Sequence, residues 1–165
     1  MRSTLFAVAT VLSVVLPVAS FAAGGGADPQ KIEPVGKAAT PADPTFARAK
    51  AMVEGRDYVN AMPLLQQVVA KDPRNADAYN LLGYATRASG NPNGSLQYYT
   101  QALAIDARHL GAHEYLGEAY LMLDRPAEAD QMLARLDSLC VFGCTEHRML
   151  KAAIANYKAG KKPTN

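Results

Sequence analysis

Beyond residue 41, apolar side chains come in short runs at helical spacing, one face per run, and the runs recur. Setting residues 42–75 over 76–109 and 110–140 aligns three sets of positions. One set is small: Ala49, Gly83 and Gly117. A second is small too: Ala61, Ser95 and Ala129. The third is large and apolar or aromatic: Leu65, Tyr99 and Leu133. Each step is 34 residues. Asp72-Pro73 ends the first unit, and Asp106-Ala107 stands at the same place in the second.

The punctuation divides every unit in two. Gly55-Arg56-Asp57, Gly90-Asn91-Pro92 and Asp124-Arg125-Pro126 each separate a first helix, A, from a second, B. Asp57 and Asn91 suit the N-cap, where a short polar side chain accepts a free backbone N–H. Pro92 and Pro126 fall near the first helical position, where a missing N–H costs nothing. The pattern predicts antiparallel helix pairs. The first small residue lets A approach B, and the second leaves room on B for the next unit's A helix. Pro63 falls inside the first B helix and predicts a gentle kink.

These spacings and small-residue positions resemble the tetratricopeptide repeat family. The resemblance covers residues 42–140 and implies an all-α fold, an α-α superhelix of three helix pairs. The units are 42–75, 76–109 and 110–143. Some positions depart from the family's pattern. Thr45, Tyr79 and His113 stand where a large aromatic is common early in helix A, and Leu136 and Val68 stand where a small residue is expected late in helix B. After the third unit, Thr145 can cap a helix with Glu146 in its first turn. Met149, Leu150, Ala153, Ile154 and Tyr157 give that helix an apolar face. Residues 144–160 are therefore expected to cap the open end of the solenoid, leaving 161–165 as a tail.

The N-terminus reads differently. Arg2, an apolar run from Thr4 to Val18, and small residues at Ser20 and Ala22 have the form of a secretory signal peptide over 1–22, cut after Ala22. The run is shorter than a membrane span needs, and Pro17 interrupts it. The expectation is export, to the periplasm in a Gram-negative cell, with no membrane span after cleavage. Residues 23–41, rich in Gly and Pro with few large apolar side chains, read as a flexible linker. Taking away Arg2 leaves 16 of the 17 basic residues against 15 acidic ones, a balance of +1. That balance supplies no drive toward nucleic acid.

The resemblance also implies where a ligand would lie. Groove residues in the family occupy the second, fifth, ninth and twelfth positions of a unit, and the last three of these carry the candidates here. Those are Phe46, Lys50 and Val53, then Asn80, Tyr84 and Arg87, then Glu114, Glu118 and Leu121. Such a lining suits a protein or peptide partner. A clamp on a terminal carboxylate, also known in the family, is not expected: Glu114 and Glu118 stand where the third helix would supply positive charge. Catalysis has no support, because no phosphate loop, zinc-protease motif or Ser-His arrangement appears. No cofactor is implied. His109 and His113, four apart, could share a metal, but one falls in a turn and the other at a packed position, so both read as structural.

Cys140 and Cys144, with His147 three residues on, leave three readings open. One is a disulfide stapling the turn into the capping helix, with Gly143 left-handed and Val141 and Phe142 pressed on the core. The second is a pair of buried thiols. The third is a redox or copper-handling accessory function through Cys140, Cys144 and His147, since sulfur and imidazole suit copper.

Overall fold

The computed structural model describes residues 43–163. The leader, cleavage site and linker expected over 1–41, residue 42 and the last two residues of the tail lie outside them. Seven α-helices make up the described residues: α1 (Pro44–Glu54), α2 (Tyr58–Lys71), α3 (Ala76–Ala88), α4 (Pro92–Ile105), α5 (Leu110–Met122), α6 (Pro126–Leu139) and α7 (Thr145–Lys158). The described residues are all-α: three antiparallel pairs, α1–α2, α3–α4 and α5–α6, followed by the capping helix α7.

Caps recur at the same places as the repeat. Asp57 and Asn91 cap α2 and α4, accepting the N–H of Asn60 and of Gly94. Arg125, at the equivalent place before α6, makes no such bond. Asn75 caps α3 through Oδ1, and His109 takes over that role for α5 through Nδ1. α2 runs unbroken through Pro63. The backbone N–H missing there would have bonded the carbonyl of Val59, an exposed residue, so the loss falls where water can compensate.

Packing makes the fold a solenoid. α1, α3, α5 and α7 each touch the next in succession, whereas α2, α4 and α6 touch only helices of the first group, α6 also meeting α7. The first group forms the inner layer and the second the outer. Three apolar clusters bridge the pairs. Leu65, Val68, Leu82 and Ala85 join the first two, and Tyr99, Leu116 and Ala119 join the next. Leu121, Leu136, Leu150 and Ile154 seal the end. α5 has neighbours on every side and is buried nearly all round, from Ala112 to Leu121.

The close approaches follow the small residues, with one difference. Gly83 meets Tyr99 of its own B helix, as the repeat implies. Gly117 instead meets Leu150 of the capping helix, because α7 presses onto α5 from the side where a fourth unit would stand. Helix α7 begins at Thr145, and its cap is Cys144, not Thr145: the sulfur accepts the N–H of His147 at 3.4 Å. Cys144 is the last residue in extended conformation, so it and not Thr145 faces the free N–H groups.

Candidate functional site

The inner face carries three connected depressions. The first, of about 230 Å³, is lined by Phe46, Lys50, Asp77, Asn80 and Leu81. The second, of about 410 Å³, lies among Lys50, Val53, Arg56, Tyr58, Tyr84 and Tyr115. The third, again about 230 Å³, lies among Tyr84, Arg87, Glu114, Tyr115, Glu118 and Met149. Eight of the nine residues expected in the groove therefore line it. Leu121 does not: it is fully buried against Leu136 and Leu150, because the capping helix closes over the twelfth position of the last unit.

Lining is not the same as exposure. Val53, Asn80, Arg87 and Glu114 are all buried, forming the floor, while Lys50 is exposed and Phe46, Tyr84 and Glu118 are half-buried. Tyr115 and Met149 also line the groove, yet neither falls on the positions that the repeat singles out. Their signal was weak. Tyr115 is one residue beyond Glu114 on a helix with no clear polar face, and Met149 lies on the apolar face predicted for α7. It stays about half exposed because it overhangs the groove while Leu150 and Ile154 take the core.

The floor is electrostatically organised around Arg87. Its Nη2 donates to the Glu118 carboxylate at 2.9 Å, and Nη1 points at the Met122 sulfur at 3.7 Å. The guanidinium also lies over the rings of Tyr84 and Tyr115, 5.4 and 5.7 Å from their centroids. Tyr84 in turn packs on Tyr115 at 5.0 Å and edge-on to Tyr58 at 6.0 Å, so one aromatic file runs across α2, α3 and α5. Glu114 is different. Its Oε1 is buried without a hydrogen-bond partner. Burial, with Glu118 and Glu146 nearby, pushes its carboxyl up to about 8 against a modest opposing pull from Arg87. Burial likewise raises the Tyr115 phenol to about 12.

A larger depression of about 750 Å³ lies elsewhere, at the inter-repeat turns, among Asp72, Asn75, Asp77, Asp106 and His109. Its polar groups are committed to the turns. Asp72 and Asp106 accept the N–H of Arg74 and Arg108, Asn75 caps α3, and His109 bonds Ala112 through Nδ1 and Asp77 through Nε2 at 3.0 Å. With Nδ1 accepting, Nε2 carries the proton. His113 is buried and donates from Nε2 to the Ala107 carbonyl at 3.1 Å. The two histidines thus serve separate structural bonds.

Cys140 and Cys144 lie at disulfide distance, with Cα atoms 5.6 Å apart, and Gly143 between them is left-handed at φ 81°. His147 turns to Asp137, Nε2 to Oδ1 2.6 Å. Val141 and Phe142 are not pressed on the core. They are 78% and 102% exposed. The turn that brings the sulfurs together holds its middle residues at the outside of the bend, and α6 and α7 pack against each other without them.

This architecture of stacked helix pairs around an aromatic and charged groove is that of a helical-repeat scaffold. Residues 86–154 match the family model described as Tetratricopeptide repeat, so that stretch of the chain carries tetratricopeptide repeats. Among similar proteins is the "TPR repeat-containing protein PA0015" of Pseudomonas aeruginosa, 34% identical over 64 residues, which are 39% of this chain and 61% of that protein. The "Protein O-mannosyl-transferase Tmtc3" of Drosophila melanogaster is 32% identical over 83 residues, 50% of this chain but 9% of the transferase. The chain thus spans a small part of that protein's length. The fold is also that of the type III secretion translocator chaperone SycD of Yersinia enterocolitica. In that comparison the TM-score is 0.63, the identity 17%, and the match covers 70% of this chain and 82% of the other. The first TPR of Spaghetti (RPAP3), solved bound to the HSP90 peptide SRMEEVD, matches at TM-score 0.62 and 16% identity over 70% and 90% of the two chains.

Proposed function

We propose that this protein is an exported scaffold whose inner groove binds a peptide segment or surface of another envelope protein. The observation that carries the reading is the aromatic file of Tyr58, Tyr84 and Tyr115, half-buried and lining the inner face beside exposed Lys50 and buried Arg87. Rings of this kind give large contact area at low entropic cost, and the charges around them set register. Two neighbours in fold were solved with peptides: SycD in complex with a peptide of the translocator YopD, and the Spaghetti domain with its HSP90 peptide. Gripping a terminal carboxylate is not the chemistry proposed here, because Glu114 and Glu118 stand where such a clamp needs positive charge. Export rests on the leader-like residues 1–22. No described helix is long and apolar enough to cross a membrane.

The test is affinity capture from an envelope extract on the full chain, compared with Lys50→Glu and Tyr84→Ser. A partner held by the parent and lost from both variants, each still folded by circular dichroism, is the expected result. A partner kept by both but lost on changing the outer residues Gln66 and Gln101 would move the site to the convex face. Mass spectrometry of the protein recovered from its producing cell should place the mature N-terminus at Ala23. An intact Met1 would overturn export.

A further inference from the structure

We propose that the end of the groove nearest the capping helix is a receptor for one basic side chain, a lysine or arginine of the bound protein, with Glu114 as its ionic partner. The inference rests on the groove reading above and adds the chemistry of what enters it. Glu114 is 3% exposed and lines the third depression, yet its Oε1 has no partner. A buried polar atom left unmet is costly, so a hydrogen-bonding partner is missing from this place.

The surroundings decide which partner. The charged groups facing Glu114 are Arg87 from α3, Glu118 one turn along α5, and Glu146 from α7. Arg87 is already committed to Glu118 and to the tyrosine rings. Three carboxyl groups therefore share one engaged cation. An anionic ligand meets repulsion there, and an added ammonium or guanidinium restores the balance. Tyr115, Ala88 and Met149 supply apolar wall for the aliphatic stem of such a side chain, and about 230 Å³ is room for one residue, not a helix. The chain's own Lys161 and Lys162 line the adjoining depression beside Glu118 and Met149, so basic groups already gather at this rim.

Occupancy carries a proton signature. In the free protein burial and the neighbouring carboxylates keep Glu114 protonated up to about pH 8. A cation seated against it favours the ionised form, so the carboxyl proton leaves to solvent on binding. Affinity then rises with pH up to about 8, by as much as ~10-fold per unit, and levels off above.

The experiment pans a phage library of random dodecapeptides on the full chain at pH 8. One enriched peptide is then titrated calorimetrically between pH 6 and 9. The expected result is a recurrent Lys or Arg, roughly 10-fold or greater weakening when that residue is changed to Met, and proton release near neutral pH. Glu114→Gln should abolish the pH dependence. If that variant does not fold, the Met-substituted peptide against the parent protein decides. Peptides that need Tyr84 but show no basic preference, or bind with no pH dependence, overturn this inference and leave the groove reading standing. Enriching no peptide that needs Tyr84 overturns both.

Discussion

Gly83 lies under the ring of Tyr99: a Cβ on Gly83 would come within 2.5 Å of Cε1. Tyr99 is fully buried, so the ring has nowhere to retreat. Gly83→Ala should therefore destabilise by about 1–3 kcal/mol in urea unfolding, even though alanine favours a helix by about 1 kcal/mol. Gly111→Ala, whose nearest neighbour would be the Asn80 amide at 3.4 Å, is the control and should be neutral or slightly stabilising. Equal stability of the two variants would show that the α3–α4 crossing tolerates a methyl.

Arg56, Gly90 and Asp124 occupy one turn position in the three pairs, and all have positive φ: 62°, 91° and 58°. Only Gly90 is suited to it. Arg56→Gly should raise stability by about 1 kcal/mol, read from the thermal midpoint. Asp124→Gly should gain less. Its carboxylate accepts from Tyr157 at 3.0 Å and from Lys162 at 2.6 Å, tying the end of the capping helix to the α5–α6 turn.

Glu118→Gln removes the counter-charge of a buried guanidinium. A loss of about 2–4 kcal/mol is expected, because Arg87 keeps its charge with little water to solvate it. Arg87→Met combined with Glu118→Leu should recover most of that loss. A double variant as unstable as the single would mean that the rings, not the ion pair, need the guanidinium.

The pH dependence of stability has a definite sign. Glu114 holds its proton in the fold up to about pH 8, whereas in the unfolded chain it lets go near 4.5. Between those values the native state binds more protons, so stability falls as pH rises. His113 works the other way. Burial lowers it from 6.5, so its contribution is complete above that value and is lost only at lower pH. From pH 6.5 to 8 the Glu114 effect amounts to about 1–2 kcal/mol, and Glu114→Gln should reduce the slope measured by urea unfolding by that much. An unchanged slope would mean that Glu114 is ionised at neutral pH.

Reduction of the Cys140–Cys144 pair should lower the melt modestly, by an amount equivalent to about 2 kcal/mol or less, since the closed loop is short. Cys144 has a second task as the cap of α7. In a Cys140→Ser background, Cys144→Ser keeps an acceptor for the His147 N–H and Cys144→Ala does not, so the alanine should melt lower by about 1 kcal/mol. Identical melts would remove the capping role.

The helix pairs were legible because their signals are local. A cap, a turn and a helical apolar period act within a few residues of one another, and the 34-residue step at Ala49, Gly83 and Gly117 repeats them. The groove was legible only as a set of positions. Phe46, Lys50, Tyr84 and Glu118 do line it in contact with solvent, but Leu121 carries the same repeat number as Val53 and Arg87 and is sealed in the core. A periodic rule assumes that every unit has a successor of its own kind. The third unit is followed by α7, which presses Leu150 onto Gly117 and covers Leu121.

By itself the sequence determined paired helices, the turns that part A from B, and the close crossing at Gly83. Spacing and capping chemistry carry that information along the chain. The tertiary structure decided the protonation and pairing of the groove. Arg87 and Glu118 are 31 positions apart in sequence, yet stacking α3 on α5 pairs them at 2.9 Å and leaves Glu114 Oε1 without a partner. It also decided that Val141 and Phe142, apolar and beside a cysteine pair, stand out in solvent. Burial is set by which helices meet across the solenoid, and desolvation then fixes charge. Neither is encoded in the local run of residues around a side chain.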